Sequence, residues 1–198
     1  MPINPSVVSQ GVPGKAMLIR TAELELRPLE FDQEFRPGAI EFGSDLRQLG
    51  TLKAKGRAEL VKEHHGGKVI VPNIRLVGEF SGDFEANCAR CLEPVKTHVE
   101  KQFDLIYRPL GSDRRADEVS ISEAETEIGY YEGDGMELAD SLREQVLLAV
   151  PIKFVCSEGC KGICASCGKN LNEGACGCAQ KVSDPRWEAL KDLRKNLS

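Results

Sequence analysis

The stretch C-S-E-G-C-K-G-I-C-A-S-C-G-K-N-L-N-E-G-A-C-G-C, residues 156–178, holds six of the chain's eight cysteines. They are Cys156, Cys160, Cys164, Cys167, Cys176 and Cys178. The other two, Cys88 and Cys91, lie upstream in the stretch N-C-A-R-C-L-E-P. Eight thiols supply two sets of four, and four thiolates are the donor set of a closed tetrahedral zinc site. The stretch therefore predicts structural Zn²⁺, at two sites if both sets close and at one otherwise, and the fold is expected to be organised around it.

The spacing suggests how the eight thiols divide. One compact set is Cys164, Cys167, Cys176 and Cys178. Cys156 and Cys160 then meet the distant pair, Cys88 and Cys91, across the fold. An exchange of Cys160 into the compact set is the alternative, and spacing does not decide between the two. In both C-x-x-C pairs a tight turn can bring the two sulfurs to one metal.

Eight cysteines can also form disulfides, a redox pair or an iron–sulfur cluster. An even count in a short chain is typical of disulfides, but that pattern goes with secretion. Residues 1–17 contain no apolar run of the length that an export signal needs, so none is expected. A thioredoxin-like redox pair is disfavoured because neither C-x-x-C pair begins a helix of a βαβ unit. An iron–sulfur cluster uses the same four thiolates and stays open as an alternative to zinc.

Composition and charge indicate a globular protein without a membrane span. The 198 residues are 41% hydrophobic and 29% charged, with a formal net charge of −5. The acidity is concentrated in residues 111–152, which hold three basic and 11 acidic residues. Residues 153–198 hold eight basic and five acidic residues, so the cysteine-rich end is basic. We expect a cytoplasmic protein of one domain with an appended module.

Period-2 alternation predicts the fold class. Apolar and polar residues alternate over 52–60, 74–88 and 95–107, a pattern typical of antiparallel strands with one buried face. We predict an α+β protein: an antiparallel β meander, able to curl towards a barrel, with one packed helix, a C-terminal cysteine-rich zinc module and a terminal helix.

Three regions follow from these patterns. A flexible tail is expected at 1–17, a β-rich main domain at 18–152, and the zinc module with its C-terminal helix at 153–198. The main domain is expected to contain a first strand at 18–29, an exposed acidic loop at 111–126 and a helix at 135–150. Asp134 is a candidate N-cap of that helix, with Glu137 three residues later. The terminal helix is expected from Asp184 to Leu197.

The two cysteine blocks resemble a known family. The run C-K-G-I-C-A-S-C-G-K-N-L-N-E-G-A-C-G-C and the upstream C-A-R-C-L-E-P-V are similar to the YceD family, the large ribosomal RNA subunit accumulation proteins. The match includes loop residues as well as cysteines: Gly162, Gly168, Asn170, Leu171 and Asn172. The resemblance implies a bacterial or organellar factor that supports accumulation of 23S rRNA and assembly of the large ribosomal subunit.

Several residues are candidate RNA contacts. In the cysteine module these are Lys161, Lys169, Asn170 and Asn172, and on a predicted strand face they are Lys53, Lys55 and Arg57. Lysine and arginine can neutralise phosphates, and zinc modules take part in RNA recognition. An ordinary solvated surface is the plainer interpretation of both groups. The expected partner is large-subunit rRNA or its precursor particle, with no membrane and no small-molecule substrate.

Two other functions stay open. The acidic segment can hold a basic ribosomal protein, in which case RNA accumulation is an indirect result. The zinc-stabilised module can also serve an interaction unrelated to RNA. A catalytic function is not expected, because eight cysteines close both metal sites whereas a catalytic zinc keeps an open position. The three histidines, His64, His65 and His98, are expected to be exposed.

Overall fold

The structure, a computed structural model, describes residues 17–65, 69–112 and 128–178. Contacts divide the chain into two compact units, each described here by itself. Unit 1 comprises the described residues of Met1–Ala86 and Val95–Ile152, and unit 2 those of Asn87–Pro94 and Lys153–Ser198. Three sequence expectations fall outside the described residues: the tail up to residue 16, the acidic loop from residue 113 onward, and the terminal helix.

Strands make up most of the regular structure. The described elements are β1 (Leu18–Arg20), α1 (Thr21–Leu24), β2 (Leu29–Phe35), β3 (Leu46–Gln48), β4 (Leu52–His65), β5 (Val69–Asn87), β6 (Pro94–Pro109), β7 (Ile128–Tyr131), β8 (Gly135–Glu137) and α2 (Leu138–Ala149). Among the described residues, neither helix is long and apolar enough to cross a bilayer.

The main sheet is open. Its strand order is β2-β4-β5-β6-β7, and β3 pairs with β5 beside this path. The pairs β2–β4, β3–β5 and β4–β5 are antiparallel, whereas β6 and β7 run parallel. β1 and β8 form a separate two-stranded antiparallel sheet. The α+β class is confirmed. The barrel-like closure is wrong for the described strands, because β2 and β7 end the path without pairing to each other.

The core of unit 1 follows the predicted alternation. Leu52, Ala54 and Ala58 of β4 are buried, while the intervening charged residues are exposed or half-buried. In β5 the fully buried positions include Phe80 and Phe84. α2 buries one stripe, formed by Leu138, Leu142 and Val146, as the i, i+4 spacing requires.

Two local predictions are wrong. The strand expected over 18–29 is interrupted by α1. The helix expected over 135–150 begins only at Leu138, because Gly135–Glu137 pairs with β1 as β8. Asp134 does not cap this helix, and its carbonyl oxygen accepts hydrogen bonds from the N–H (2.9 Å) and hydroxyl (3.1 Å) of Thr21. Strand pairing over long sequence separation has overridden the local capping signal.

The histidines belong to strands. His64 and His65 are the last two residues of β4 rather than part of a turn, and pair with Ile70 and Val69. His98 lies on the exposed face of β6, where its Nδ1 is 2.8 Å from Oδ1 of Asp83.

Candidate metal centres

The first cluster consists of Cys88, Cys91, Cys156 and Cys160, all in unit 2. Their four sulfurs lie within 4.8 Å of one another. The Sγ atoms of Cys88 and Cys160 are 3.9 Å apart, and those of Cys91 and Cys156 are 3.6 Å apart. A tetrahedron with Zn–S bonds of 2.3 Å has edges of about 3.8 Å. The spacing therefore fits four sulfurs around one metal ion.

The second cluster consists of Cys164, Cys167, Cys176 and Cys178, also in unit 2. These sulfurs too lie within 4.8 Å of one another. The structure thus groups the eight cysteines in the first of the two ways that the spacing allowed, with Cys160 beside the distant pair. All eight are free thiols, and the sulfur separations in the first cluster far exceed the disulfide length of about 2.05 Å. A disulfide framework is therefore not what holds these segments together.

The turn from β5 to β6 presents the upstream pair of cysteines. The N–H of Cys88 donates to the carbonyl of Glu93 at 2.8 Å, and the N–H of Leu92 donates back to the carbonyl of Cys88 at 2.9 Å. Leu92 adopts φ +66°, a left-handed conformation that is uncommon for a side chain of its size. The turn is closed by its own backbone, and both thiols project from it into the first cluster.

Arg90 joins the turn to the cysteine-rich segment within unit 2. Its Nη1 donates to the carbonyl of Glu158 at 2.9 Å and to that of Cys160 at 3.2 Å. Its own carbonyl accepts from the N–H of Ile163 at 3.0 Å. A Cβ on Gly162, which has φ +74°, would lie 3.0 Å from that same oxygen. Arg90 therefore links the two halves of the first cluster through hydrogen bonds at both its side chain and its backbone.

A tight hairpin presents the second cluster. The N–H of Gly168 donates to the carbonyl of Cys164, and the N–H of Cys164 donates to the carbonyl of Lys169, both at 2.8 Å. Gly168 has φ +73°, which glycine adopts without a Cβ clash, as the residue after a C-x-x-C pair requires. An isolated bridge between Ile163 and Asn170 extends this hairpin by one rung.

Backbone N–H groups stabilise one thiolate in each cluster. Hydrogen bonding from the N–H groups of Cys91 and Arg90 lowers the pKa of Cys88 to about 6. The N–H groups of Cys167 and Ser166 do the same for Cys164, whose pKa is also lowered to about 6. A hydrogen bond to a charged sulfur favours the charged form. Each cluster therefore contains a thiol that ionises more readily than a free cysteine.

The neighbouring thiols resist ionisation. The pKa of Cys91 is raised to about 12: the N–H of Glu93 favours its thiolate, but burial and the three other sulfurs of the cluster outweigh it. The pKa of Cys178 is raised to about 12 mainly by the adjacent sulfur of Cys167. Four sulfurs this close cannot all be negative without a cation among them. A divalent ion provides that charge, so the donor set and the spacing both fit a metal.

The structure gives Asn172 a contact that the sequence did not reveal. Its Nδ2 lies 3.3 Å from Sγ of Cys160 and 2.8 Å from Oδ1 of Asn170. Its Oδ1 accepts from the N–H of Lys161 at 2.8 Å. Both asparagines were candidate RNA contacts, whereas here their side chains organise the loop. A polar residue at fixed spacing between two cysteines is the only sequence signal that this arrangement leaves.

The candidate lysines and arginine differ in how they are paired. On β4, Lys53 faces Glu34 at 3.8 Å, Lys55 faces Glu79 at 2.8 Å, and Arg57 pairs with Glu59. In unit 2, Lys169 reaches the carbonyl of Ala175 at 3.5 Å. The ammonium of Lys161 is exposed and has no partner among the described residues. Lys161 is therefore the candidate cation most available to a phosphate.

Comparison with known proteins identifies the family. A family model described as "Large ribosomal RNA subunit accumulation protein YceD" matches residues 76–194, more than half of the chain and all eight cysteines. The chain belongs to the YceD family. The resemblance of the two cysteine blocks is thereby confirmed, and the YceD match begins inside β5, before the first cysteine pair.

The chain is also similar to individual proteins, of which a plant protein carries the YceD name. The chain is 32% identical over 62 residues to the Arabidopsis thaliana protein named "Large ribosomal RNA subunit accumulation protein YCED homolog 1, chloroplastic", covering 31% of this chain and 19% of that protein. It is 29% identical over 125 residues to an uncharacterised Mycobacterium tuberculosis protein, covering 63% of this chain and 57% of the relative. An uncharacterised Mycobacterium leprae protein is 24% identical over 192 residues, 92% of this chain and 82% of the relative. No solved structure matches significantly.

Proposed function

We propose that this protein is a non-catalytic ribosome-biogenesis factor that supports accumulation of large-subunit rRNA by binding 23S rRNA or its precursor particle. The observation that carries the proposal is the family match over residues 76–194, which includes both cysteine clusters. The names of the Arabidopsis and maize relatives describe the same process. The factor acts where large subunits are assembled.

In this proposal each cluster holds one structural Zn²⁺. Cys88, Cys91, Cys156 and Cys160 hold one ion, and the second cluster holds the other. Four thiolates fill a tetrahedral zinc and leave no open position, so the ion supplies rigidity rather than chemistry. Sulfurs this close together favour a single ion over a multi-iron cluster, in which the four cysteines are divided among two or four irons and stand farther apart.

RNA contact is assigned to unit 2, on the side that presents Lys161. This lysine is exposed and unpaired among the described residues, whereas the cations of β4 already face carboxylates. Opening those ion pairs would lower the gain from a phosphate contact. The contribution of Lys53, Lys55 and Arg57 to RNA binding is therefore expected to be smaller than that of Lys161.

A second candidate is an adaptor that holds a basic ribosomal protein. The charge of unit 2 favours this adaptor function. The described residues of unit 2 carry four basic and three acidic side chains, but each Zn(Cys)₄ centre adds a formal charge of about −2. With metal bound, this part of the chain is net negative. Residues 111–152 are strongly acidic as well, and negative surfaces attract basic partners.

Depletion followed by complementation tests both functions. Cells lacking the protein should show a lower ratio of 23S to 16S rRNA, restored by the wild-type chain. Failure of the charge-reversed Lys161→Glu/Lys169→Glu variant to restore that ratio, with restoration by Lys53→Glu/Lys55→Glu as the matched control, supports direct RNA binding. Rescue by Lys161→Glu/Lys169→Glu, combined with failure after the acids of 111–132 are neutralised, supports the adaptor. A 23S to 16S ratio that does not change on depletion contradicts both.

A further inference from the structure

The loop between Cys167 and Cys176 supplies ligands to one cluster and a hydrogen bond to the other. Both flanking cysteines belong to the second cluster. Asn172, inside the loop, has its Nδ2 3.3 Å from Sγ of Cys160, a member of the first cluster. One short loop thus touches both candidate metal centres of unit 2.

The loop is held in place from both sides. The N–H of Leu171 donates to the carbonyl of Gly162 at 2.8 Å, and the N–H of Lys161 donates to Oδ1 of Asn172 at 2.8 Å. The N–H of Asn172 bonds to Oδ1 of Asn170 at 3.0 Å, which fixes the direction of the amide. The segment 161–163 accepts the first of these bonds through Gly162 and donates the second through Lys161. It lies between Cys160 and Cys164, so it belongs to the connection between the clusters.

We propose that Asn172 couples the two metal centres, so that filling the second cluster raises the affinity of the first. Metal at Cys167 and Cys176 fixes both ends of the loop and places the Asn172 amide against Cys160. Without that metal the loop ends are less constrained and the N–H···S bond is populated for less of the time, although the hydrogen bonds to Gly162 and Lys161 remain. Outer hydrogen-bond partners of metal ligands typically change affinity by about 10–100-fold. Coupling between binding sites is reciprocal, so metal in the first cluster raises the affinity of the second equally.

This inference rests on metal binding at both clusters, as proposed above, and predicts an order of loading. The first cluster joins segments 65 or more residues apart in the chain, Cys88 with Cys160 and Cys91 with Cys156. The second cluster lies within residues 164–178 and closes a much shorter loop, which costs less conformational entropy. The local cluster therefore fills first and prepares the distant one through Asn172.

The test compares Asn172→Asp with Asn170→Asp in the full-length chain. Asn172→Asp keeps an oxygen for the Lys161 N–H but replaces the donor to Cys160 with an acceptor. Asn170→Asp makes the same charge change two residues away and keeps the oxygen that Asn172 uses, while an exposed 3.4 Å contact to Glu93 is replaced by two like charges in water. Native mass spectrometry after addition of one equivalent of Zn²⁺ to the reduced, metal-free protein measures the species with zero, one and two ions.

The expected result is a larger one-ion population in Asn172→Asp than in the wild type, with Asn170→Asp close to wild type. Co²⁺ titration gives the affinities, because thiolate-to-cobalt absorption reports each filled cluster. Asn172→Asp should weaken the first cluster about 10–100-fold. In a Cys164→Ser/Cys167→Ser background the first cluster should already be weakened by a similar factor, and adding Asn172→Asp should change it little.

Two outcomes overturn the inference. If the Asn172→Asp effect is equally large whether or not the second cluster can bind metal, Asn172 merely positions Cys160 and carries no coupling. If Asn172→Asp leaves the Co²⁺ affinity of the first cluster unchanged in a chain whose second cluster can bind metal, Asn172 does not couple the clusters. Failure of the wild-type chain to bind any metal is a different result, since it contradicts the proposed zinc centres themselves and the coupling with them.

Discussion

Gly56 of β4 lies directly opposite Gly78 of β5 in the centre of the main sheet. A Cβ on Gly56 would overlap the carbonyl oxygen of Val77 and would lie 2.7 Å from both the Gly78 Cα and the ring of Phe31. A Cβ on Gly78 would lie 2.9 Å from the ring of Phe103. Two aromatic rings thus occupy the space that the glycines leave, an arrangement that compensates for the missing side chains.

Gly56→Ala is therefore expected to destabilise unit 1. Its new methyl group would overlap backbone on β5 as well as the Phe31 ring, and backbone of a paired strand cannot move aside cheaply. Overpacking of a well-packed core costs about 1–3 kcal/mol. Urea unfolding followed by far-UV circular dichroism measures the change. Gly50→Ala is the matched control, since its Cβ would meet only the Asp83 carboxylate at 4.0 Å. Equal stability of the two variants would contradict the close packing described here.

The number of bound metal ions is expected to equal the number of intact cysteine clusters. Wild-type protein prepared under reducing conditions should contain about two zinc ions per chain, and Cys164→Ser/Cys167→Ser about one, because each cluster of four sulfurs binds one ion. Chelation should unfold unit 2 preferentially, since structural zinc contributes its binding free energy to folding. Elemental analysis gives the stoichiometry, and amide hydrogen exchange measures how well the backbone amides of residues 153–178 are protected. Iron in place of zinc, or full exchange protection after chelation, would count against structural zinc.

Arg90 is expected to slow release of metal from the first cluster. Its guanidinium holds the carbonyls of Glu158 and Cys160, and so keeps the cysteine-rich segment against the turn that carries Cys88. Arg90→Ala should speed transfer of zinc to a chelator about tenfold, in the range typical of outer contacts around a metal site. Arg143→Ala is the matched control, because that arginine makes a comparable bond to the Glu41 carbonyl in unit 1. Identical release rates in the two variants would show that Arg90 has no such role.

Much of the architecture could be predicted because it depends on short-range periodicity. Alternation along β4 and β5 gave the buried face, and the i, i+4 stripe of α2 gave its packed side. The failures involve partners distant in sequence. The local sequence predicts that Gly135–Glu137 begins a helix, but these residues pair as a strand with β1, more than 110 residues upstream. Local capping propensity is weak compared with a ladder of hydrogen bonds made over long range.

The candidate site shows the same limit. Cysteine spacing predicted two groups of four sulfurs, because thiols that share an ion must be close, but it left the placement of Cys160 open. The roles of Arg90 and Asn172 were not visible, since each depends on where one side chain points after the turn and the hairpin have formed. From the sequence, Asn172 is a candidate RNA contact, because nothing in a basic loop indicates that an asparagine side chain bonds to a sulfur.

Metal binding at the first cluster is expected to depend strongly on pH. Near neutral pH Cys88, with a pKa lowered to about 6, is already ionised, whereas Cys91, raised to about 12, and Cys156, also raised, hold their protons. Zinc must displace at least those two protons, so the apparent affinity should fall by about 100-fold for each unit that the pH falls near pH 7. Calorimetry in buffers of different ionisation enthalpy counts the released protons. In a Cys164→Ser/Cys167→Ser background the measurement reports the first cluster alone, and release of fewer than two protons would contradict the assigned ionisation states.

Lys161 and Lys55 are expected to differ in their effect on RNA binding. The ammonium of Lys161 is exposed and unpaired among the described residues, whereas that of Lys55 lies 2.8 Å from Glu79, which raises the pKa of Lys55 and lowers that of Glu79. A lysine that neutralises one phosphate contributes about 0.7–0.9 to the slope of log affinity against log salt. Lys161→Gln should therefore weaken binding to 23S rRNA fragments and lower that slope by about one. Lys55→Gln should leave the slope unchanged, because its phosphate contact would have to compete with an existing ion pair.

Filter binding between roughly 50 and 200 mM salt measures both slopes. Equal slopes for Lys161→Gln and the wild type would show that Lys161 does not contact RNA phosphate. A smaller slope for Lys55→Gln would show that the RNA contacts the main sheet instead.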